Sequence, residues 1–258
     1  MTQYIIICLI ALLGSALTLF SGFGLGTILT PVFAIFFPID LAIALTAIVH
    51  FSNNIFKLFL VGKHIDKNII LRFGITAIIA SFIGAYTLKL IGEMPAIIEY
   101  SIANKLFFVT PIKLTIGIIL IFFALFDVVP SLTRLEFDKK YLSLGGLLTG
   151  FFGGLSGIQG ALRSAFLIRA NLSKEAYIAT GVVIACLVDV SRLSVYSSQI
   201  IKHQENIDFV FVSAATLSAF IGAYFGNKLI KKITITFLQY FVAIMLMLFG
   251  ALMAMGII

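Results

Sequence analysis

Charged side chains are scarce in this chain. Asp, Glu, Lys and Arg make up 11% of its 258 residues, whereas 61% of the residues are hydrophobic. A soluble domain of this length needs far more polar residues to cover its core, so the composition excludes the soluble globular class. The apolar residues form runs of about 20 residues, the length that crosses roughly 30 Å of hydrocarbon. The sequence therefore predicts an all-α, polytopic transmembrane helical bundle.

Cysteine is also scarce, and catalytic motifs are missing. Cys8 and Cys186 lie in apolar runs without a CxxC or Cys/His spacing, which indicates neither a metal site nor a disulfide framework. The sequence contains no GxSxG, HExxH or Walker A motif. These motifs mark hydrolases, metalloproteases and ATP-driven pumps, so we expect neither an enzyme nor a cofactor.

The positive charges lie mostly in short gaps between the apolar runs. The 18 Lys and Arg residues outnumber the 11 Asp and Glu residues, but their placement is typical of positive-inside loops rather than of a nucleic-acid-binding surface. We interpret the first run, residues 4–21, as a retained span because no basic region precedes it. Alternation of the spans then predicts both termini outside, with Lys105 as an external exception, and the following residues inside: Lys63, Lys67, Arg72, Arg134, Lys139, Lys140, Arg169, Lys174, Lys228, Lys231 and Lys232.

Several apolar segments are too short to cross a bilayer. The predicted segments are 4–21, 24–38, 41–62, 69–91, 112–130, 141–153, 156–170, 175–200, 207–230 and 234–256. The second, sixth and seventh are the short ones, and each adjoins a glycine-rich stretch, SGFGLG at 21–26 or FGGLSGIQG at 152–160. Interrupted helices of this kind are typical of transporters.

An internal repeat relates the two halves. The sequence Phe82-Ile83-Gly84-Ala85-Tyr86 recurs as Phe220 to Tyr224, in the same order relative to the glycine-rich stretches. We therefore predict a duplication, with a first repeat at 1–130, a cytoplasmic linker at 131–140 and a second repeat at 141–258. Because each half has five segments, an odd number, the halves are expected to have inverted topology.

Polar side chains inside the apolar segments are the candidates for a transport path. Asn54 and Lys57 in the first half correspond to Asp189 and Arg192 in the second, and the i,i+3 spacing places each pair on one helical face. The cations could attract an anionic substrate, and Asp189 could neutralise Arg192 or titrate with a coupled proton. Alternatively, Lys57 could snorkel to the interface, and Asp189 and Arg192 could form a purely structural ion pair.

The glycine-rich stretches predict helix starts that suit an anion. Unpaired N–H groups and the positive end of the helix dipole lie at such starts. Close helix packing through small residues is the alternative reading of the glycines. The stretch in the first half contains Gly22, Gly24 and Gly26. The candidate substrate-binding residues are Gly24, Gly26 and Thr27 in the first half, Gly157, Gln159, Gly160 and Arg163 in the second, and the Asn54, Lys57 and Arg192 side chains named above.

His50, near Ser52 and Asn53, is a further polar residue in a span. A histidine there could relay protons, or its ring could simply bond a backbone carbonyl. We therefore keep His50 beside Asp189 as a candidate for proton coupling.

The motifs together resemble those of the sulfite exporter TauE/SafE family. The resemblance covers about residues 4–256 and depends on Ser21-Gly-Phe-Gly-Leu-Gly-Thr27, a proline shortly after it, the stretch 152–160 and the repeated FIGAY. It implies a bacterial inner-membrane transporter of sulfite, sulfonates or related anions. The leading hypothesis is a secondary transporter, an exporter of a small anion by alternating access, whose partners are that anion and the lipid bilayer. A membrane enzyme acting on a lipid phosphate and a non-transporting scaffold are the alternatives, and the oligomeric state stays open.

Overall fold

The computed structural model describes residues 2–21, 24–133, 135–229 and 235–258. The chain is helical almost throughout these ranges, which confirms the all-α class. Four helical stretches are long and apolar enough to cross a membrane by length and composition: Ile39–His64, Lys67–Gly92, Lys174–Lys202 and Phe209–Gly226. Among the residues singled out above, Gly22, Arg134, Lys231 and Lys232 lie outside the described ranges, as does the side chain of Lys228.

The helices follow the predicted segments closely. In the first half they are α1 (Thr2–Ser21), α2 (Leu25–Ala34), α3 (Ile39–Val61), α4 (Lys67–Ile69) with a π-helical turn (Ile70–Gly74), α5 (Ile75–Gly92) and α6 (Pro111–Val128). A short α7 (Pro130–Thr133) lies in the linker. The second half contains α8 (Leu142–Ser156), α9 (Gly160–Leu167), α10 (Lys174–Lys202), α11 (Phe209–Leu229) and α12 (Ile235–Ala254).

The three segments predicted to be short are short helices. Helices α2, α8 and α9 have 10, 15 and 8 residues, all below the about 20 that a full crossing needs. Helix α1, by contrast, has 20 residues. The interruption lies after α1, at the glycine-rich turn.

A small β-hairpin stands where the sequence predicted only a loop. Strands β1 (Ile98–Ile102) and β2 (Lys105–Val109) pair in antiparallel fashion between α5 and α6. The turn residues Ala103 and Asn104 both have positive φ, which a two-residue hairpin turn requires. The usual Asn-Gly or Asp-Gly signal is missing, so the hairpin was not visible in the sequence.

Glycine contacts show the directions in which the helices run. On α8, Gly146, Gly150 and Gly154 meet Phe73, Ala77 and Ser81 in that order. Helix α8 therefore runs parallel to the helical stretch formed by the π-helical turn and α5. A Cβ atom on Gly150 would lie 2.2 Å from the Ala77 carbonyl oxygen, so only glycine permits this approach. Similarly, Gly222 and Gly226 of α11 meet Leu12 and Ala16 of α1 in parallel order.

The packing is that of two inverted repeats. The first helix of each half (α1, α8) packs on the fourth helix of the other half (α11, α5), while α3 packs on α10 and α6 on α12. Within one half, successive helices alternate in direction, so the first and the fourth point in opposite directions. Because each runs parallel to its partner in the other half, the halves are inserted in opposite orientations.

Both termini lie on one face of the bundle. The Tyr4 hydroxyl donates to Asp208, just before α11, and this bond holds the pKa of the Asp208 carboxyl below its usual value. At the other terminus, the Lys113 ammonium donates to the Gly256 carbonyl oxygen at 3.2 Å, and Tyr100 of the hairpin donates to Met255. The predicted placement of the termini on a common side therefore agrees with the structure, whereas the identity of that side stays a prediction.

Candidate functional site

The two glycine-rich turns meet at mid-depth in the bundle. Gly24 lies beside His50, in the middle of α3, because a Cβ atom on Gly24 would be 3.2 Å from the ring Nε2. A Cβ atom on Gly26 would be 3.1 Å from the carbonyl oxygen of Gly157, in the other turn. Helices α2 and α9 therefore begin close to each other and lead back to opposite faces, so the short segments turn back instead of crossing.

Gly157 is required for the second turn. Its φ of +80° lies in the left-handed region, which ends α8 and which side chains other than glycine's adopt only with strain. A Cβ atom there would also lie 2.5 Å from Nη1 of Arg192. The turn thus brings the start of α9 against a guanidinium group on α10.

Among the described residues, the N-cap residue of neither short helix forms a side-chain capping bond. Gly24 is the N-cap residue of α2 and Gln159 that of α9, and neither provides a side-chain cap. The first N–H groups of a helix need acceptors, and the dipole makes this end positive. Two such ends at one place favour an anionic ligand between them.

A buried carboxylate joins the two halves beside these turns. Asp189 on α10 has no exposed surface. Its Oδ1 accepts from Nε of Arg192 at 2.9 Å, and its Oδ2 accepts from Nδ1 of His50 at 2.7 Å and from the Asn54 amide at 3.3 Å. The pairs predicted from their equivalent positions, Asn54 in α3 and Asp189 in α10, therefore meet across the interface between the halves.

The Asp189 contact also sets the chemistry of His50. A carboxylate is only an acceptor, so the neutral imidazole carries its proton on Nδ1. Nε2 then faces the Gly24 turn with its lone pair, and the Asn54 amide nitrogen lies 3.4 Å from it. Of the two readings of His50, the one with a backbone carbonyl partner was wrong, since the ring bonds a carboxylate.

Lys57 and Arg163 form a second group of cations. They lie near enough to interact electrostatically, and Arg163 also feels the charge of Asp189. Lys57 is only 4% exposed, so it does not snorkel to the interface. The guanidinium Nε of Arg163 lies 3.4 Å from the Cβ position of Gly181, towards the face that carries the 62–66 and 168–173 connections.

The structure places Thr27 apart from both the paired turns and the Lys57–Arg163 group. Thr27 lies in the first turn of α2, but it lines an apolar groove between α1, α2 and α12. Gly26, by contrast, faces Thr46 and His50. The residues that lie at or beside the paired turns are Gly24, Gly26, Gly157, Gln159, Gly160, His50, Asn54, Asp189 and Arg192.

Two buried residues at this site were not singled out from the sequence. Thr46 contacts the Cβ position of Gly26, and its hydroxyl has no hydrogen-bond partner in the described part of the chain. Ser15 of α1 donates to the side chain of Asn53 at 3.1 Å, which links α1 to α3 at the same depth. Threonine and serine are common in packed membrane helices, so nothing in the sequence distinguished these two.

The match to a family model decides the identity of the fold. The model described as "Sulfite exporter TauE/SafE" matches residues 7–253, nearly the whole chain. The chain belongs to this family. It is thus a multi-pass membrane protein of a transporter family, as the resemblance implied. No curated protein and no solved structure shows a significant match to it.

Replacing Asp189 should show how much the site depends on this carboxylate. The Asp189→Asn variant leaves buried Arg192 without its counter-charge, which costs about 3–5 kcal/mol in comparable buried pairs. We expect a lower melting temperature in detergent than for the wild type. The double variant Asp189→Asn/Arg192→Met removes both charges and should recover most of the loss. Exposed Glu205→Gln serves as the control, and an unchanged melting temperature for Asp189→Asn would contradict the prediction.

Proposed function

We propose that this protein is a secondary transporter that exports a small oxyanion or organic acid, with sulfite or a sulfonate as the favoured cargo. The observation that carries the proposal is the meeting of two uncapped half-length helices at mid-depth, beside a buried network of charged side chains. Membership of the sulfite exporter family supports it.

The charge of the site favours an anion. Among the fully buried charged residues in the described ranges, Lys57 and Arg192 are positive and Asp189 alone is negative. Arg163, which is partly exposed, adds a further positive charge nearby. Buried charge without compensation is costly in a low dielectric medium, so a bound anion would stabilise the site.

The two groups of cations suggest a path. Lys57 and Arg163 lie between the paired turns and the face with the 62–66 connection, which the charge bias predicts to be cytoplasmic. We infer that the cargo meets these cations first and then reaches the turns beside Arg192. The two halves would open this central site alternately to either side, as inverted repeats do in other transporters.

An enzyme that acts on lipid phosphate has less support. Such an enzyme needs a nucleophile with an adjacent base. The candidate nucleophiles are Ser156 and Ser164. The Ser156 hydroxyl donates to the carbonyl oxygen of Phe152 at 2.8 Å, and the buried Ser164 hydroxyl has no hydrogen-bond partner, and hence no base, among the described residues. We therefore propose that the protein is not an enzyme.

Anion flux in proteoliposomes tests the proposal. We expect counterflow of at least one labelled anion from a panel that contains sulfite and short sulfonates. Because Lys57→Gln removes a buried cation from the path, it should lower this flux at least about tenfold while the protein stays folded. Lys63→Gln, an exposed change near the same face, should leave the flux unchanged. Flux of a neutral or cationic solute without any anion flux would refute the proposal.

Proton coupling is proposed to act through His50. A proton on Nε2 converts this nitrogen from an acceptor into a charged donor facing the turns, so protonation and anion binding favour each other. Wild-type flux should therefore rise when the pH on the loading side is lowered. The His50→Gln variant should keep flux at a fixed pH but lose this dependence. An unchanged pH dependence in His50→Gln would place the coupled proton elsewhere.

The proposed location is the bacterial inner membrane, with both termini outside. Cysteine labelling tests this orientation in a background with Cys8→Ser and Cys186→Ser. The Glu205→Cys variant, on the face of the termini, should react with an impermeant maleimide in intact cells. Lys67→Cys, on the opposite face, should react only after permeabilisation, and the reverse pattern would invert the orientation.

A further inference from the structure

The side chain of Gln159 is completely buried yet has no hydrogen-bond partner among the described residues. It has no exposed surface, and neither its Oε1 nor its Nε2 forms a hydrogen bond within the described chain. The large majority of buried side-chain polar atoms are hydrogen-bonded, because an unsatisfied one destabilises the folded protein. An amide that no described residue satisfies therefore offers both a donor and an acceptor to a bound ligand.

The position of this amide links it to the proposed anion site. The Gln159 side chain lies against Gly153, where a Cβ atom would be 3.4 Å from its Cδ and 2.9 Å from Val188 of α10. Val188 is one helical turn before Arg192, whose Nη1 contacts Gly157 and has no hydrogen-bond partner in the described chain either. An open donor on Arg192 and an open donor–acceptor pair on Gln159 thus both belong to the surroundings of the turn between α8 and α9.

These groups define a class of cargo. Arg192 can only donate, so it needs an anionic oxygen, and Nε2 of Gln159 needs a second acceptor. Oε1 of Gln159 needs a donor, which a fully deprotonated oxyanion lacks. We propose that Gln159 is a specificity-determining residue that selects anions bearing a hydrogen-bond donor, such as a monoprotonated oxyanion or a hydroxyl-substituted sulfonate or carboxylate. This inference rests on the proposed anion transport.

Discrimination should be large enough to measure. A site built to bond a cargo hydroxyl rejects the analogue that lacks it, because the buried site group then stays unsatisfied. A single neutral hydrogen bond in such a position is expected to give about a tenfold preference. The preference should disappear when the amide is replaced by an apolar side chain of similar length.

The test compares matched pairs of radiolabelled anions in proteoliposomes. Ethanesulfonate is compared with 2-hydroxyethanesulfonate, and acetate with hydroxyacetate, alongside sulfite as the reference anion. The wild type should carry the hydroxylated member of a pair about tenfold faster. Gln159→Met should reduce that ratio to near one while the protein stays folded, since the amide it removes bonds none of the described residues. Gln199→Met is the matched control. Its Oε1 is also buried without a partner in the described chain, but it lies near the C-terminal end of α10, away from the turns.

The outcomes separate this inference from the proposed function. A wild-type protein that carries both members of each pair equally well would overturn the role of Gln159 and leave anion transport standing. The role of Gln159 is likewise overturned if Gln159→Met slows both members of a pair equally. It is also overturned if sulfite is transported but no hydroxylated anion is transported or competes with sulfite. If no anion in the set moves at all, both proposals fail.

Discussion

The contact between the Asp189 carboxylate and its donors is the constraint on which the rest of this structure depends. It neutralises Arg192, fixes the tautomer of His50 and ties α3 to α10 at the centre of the bundle. The two helices belong to different halves, so this one side chain links the halves at the centre of the bundle. Since its donors border both glycine-rich turns, the same carboxylate also determines where a ligand would meet charge.

Glycine makes this arrangement sterically possible. Ser81 and Ala77 approach the backbone of α8 so closely that Gly154 and Gly150 cannot carry a Cβ atom without a shift of the helices. These contacts hold α8 against α5 of the other half, and Gly222 and Gly226 of α11 allow α1 to approach in the same way. The helix pairs α1–α2 and α8–α9 can therefore turn back at mid-depth, where unsatisfied backbone groups need a polar partner in place of lipid.

The sequence predicted the features that depend on local pattern. Segment lengths gave α2, α8 and α9 as short helices, and the equivalent i,i+3 pairs indicated that Asn54 and Asp189 occupy matching sites. Features set by tertiary packing were less accessible. The burial of Lys57 depends on neighbouring helices, the partner of His50 lies 139 residues away, and the burial of the Gln159 amide depends on the packing of its side chain against Gly153. The β-hairpin was missed because its turn lacks the usual glycine, and Thr27 faces a groove because its neighbour Gly26 occupies the inner face.

The exchange of partners between the halves bears on how such a chain could originate. The closest described helix pairs map onto one another when the halves are interchanged, with α3 facing α10 and α6 facing α12. A half-length ancestor would thus have found its complementary surfaces only on a second copy inserted upside down. Such a protein must insert in both directions, and its loops can carry little net bias in charge. A half that crosses the membrane an odd number of times ends on the side opposite to its start. Fusing the genes of two copies therefore joins the two orientations without an added helix, and each copy is then free to evolve its own loops and its own side of the site.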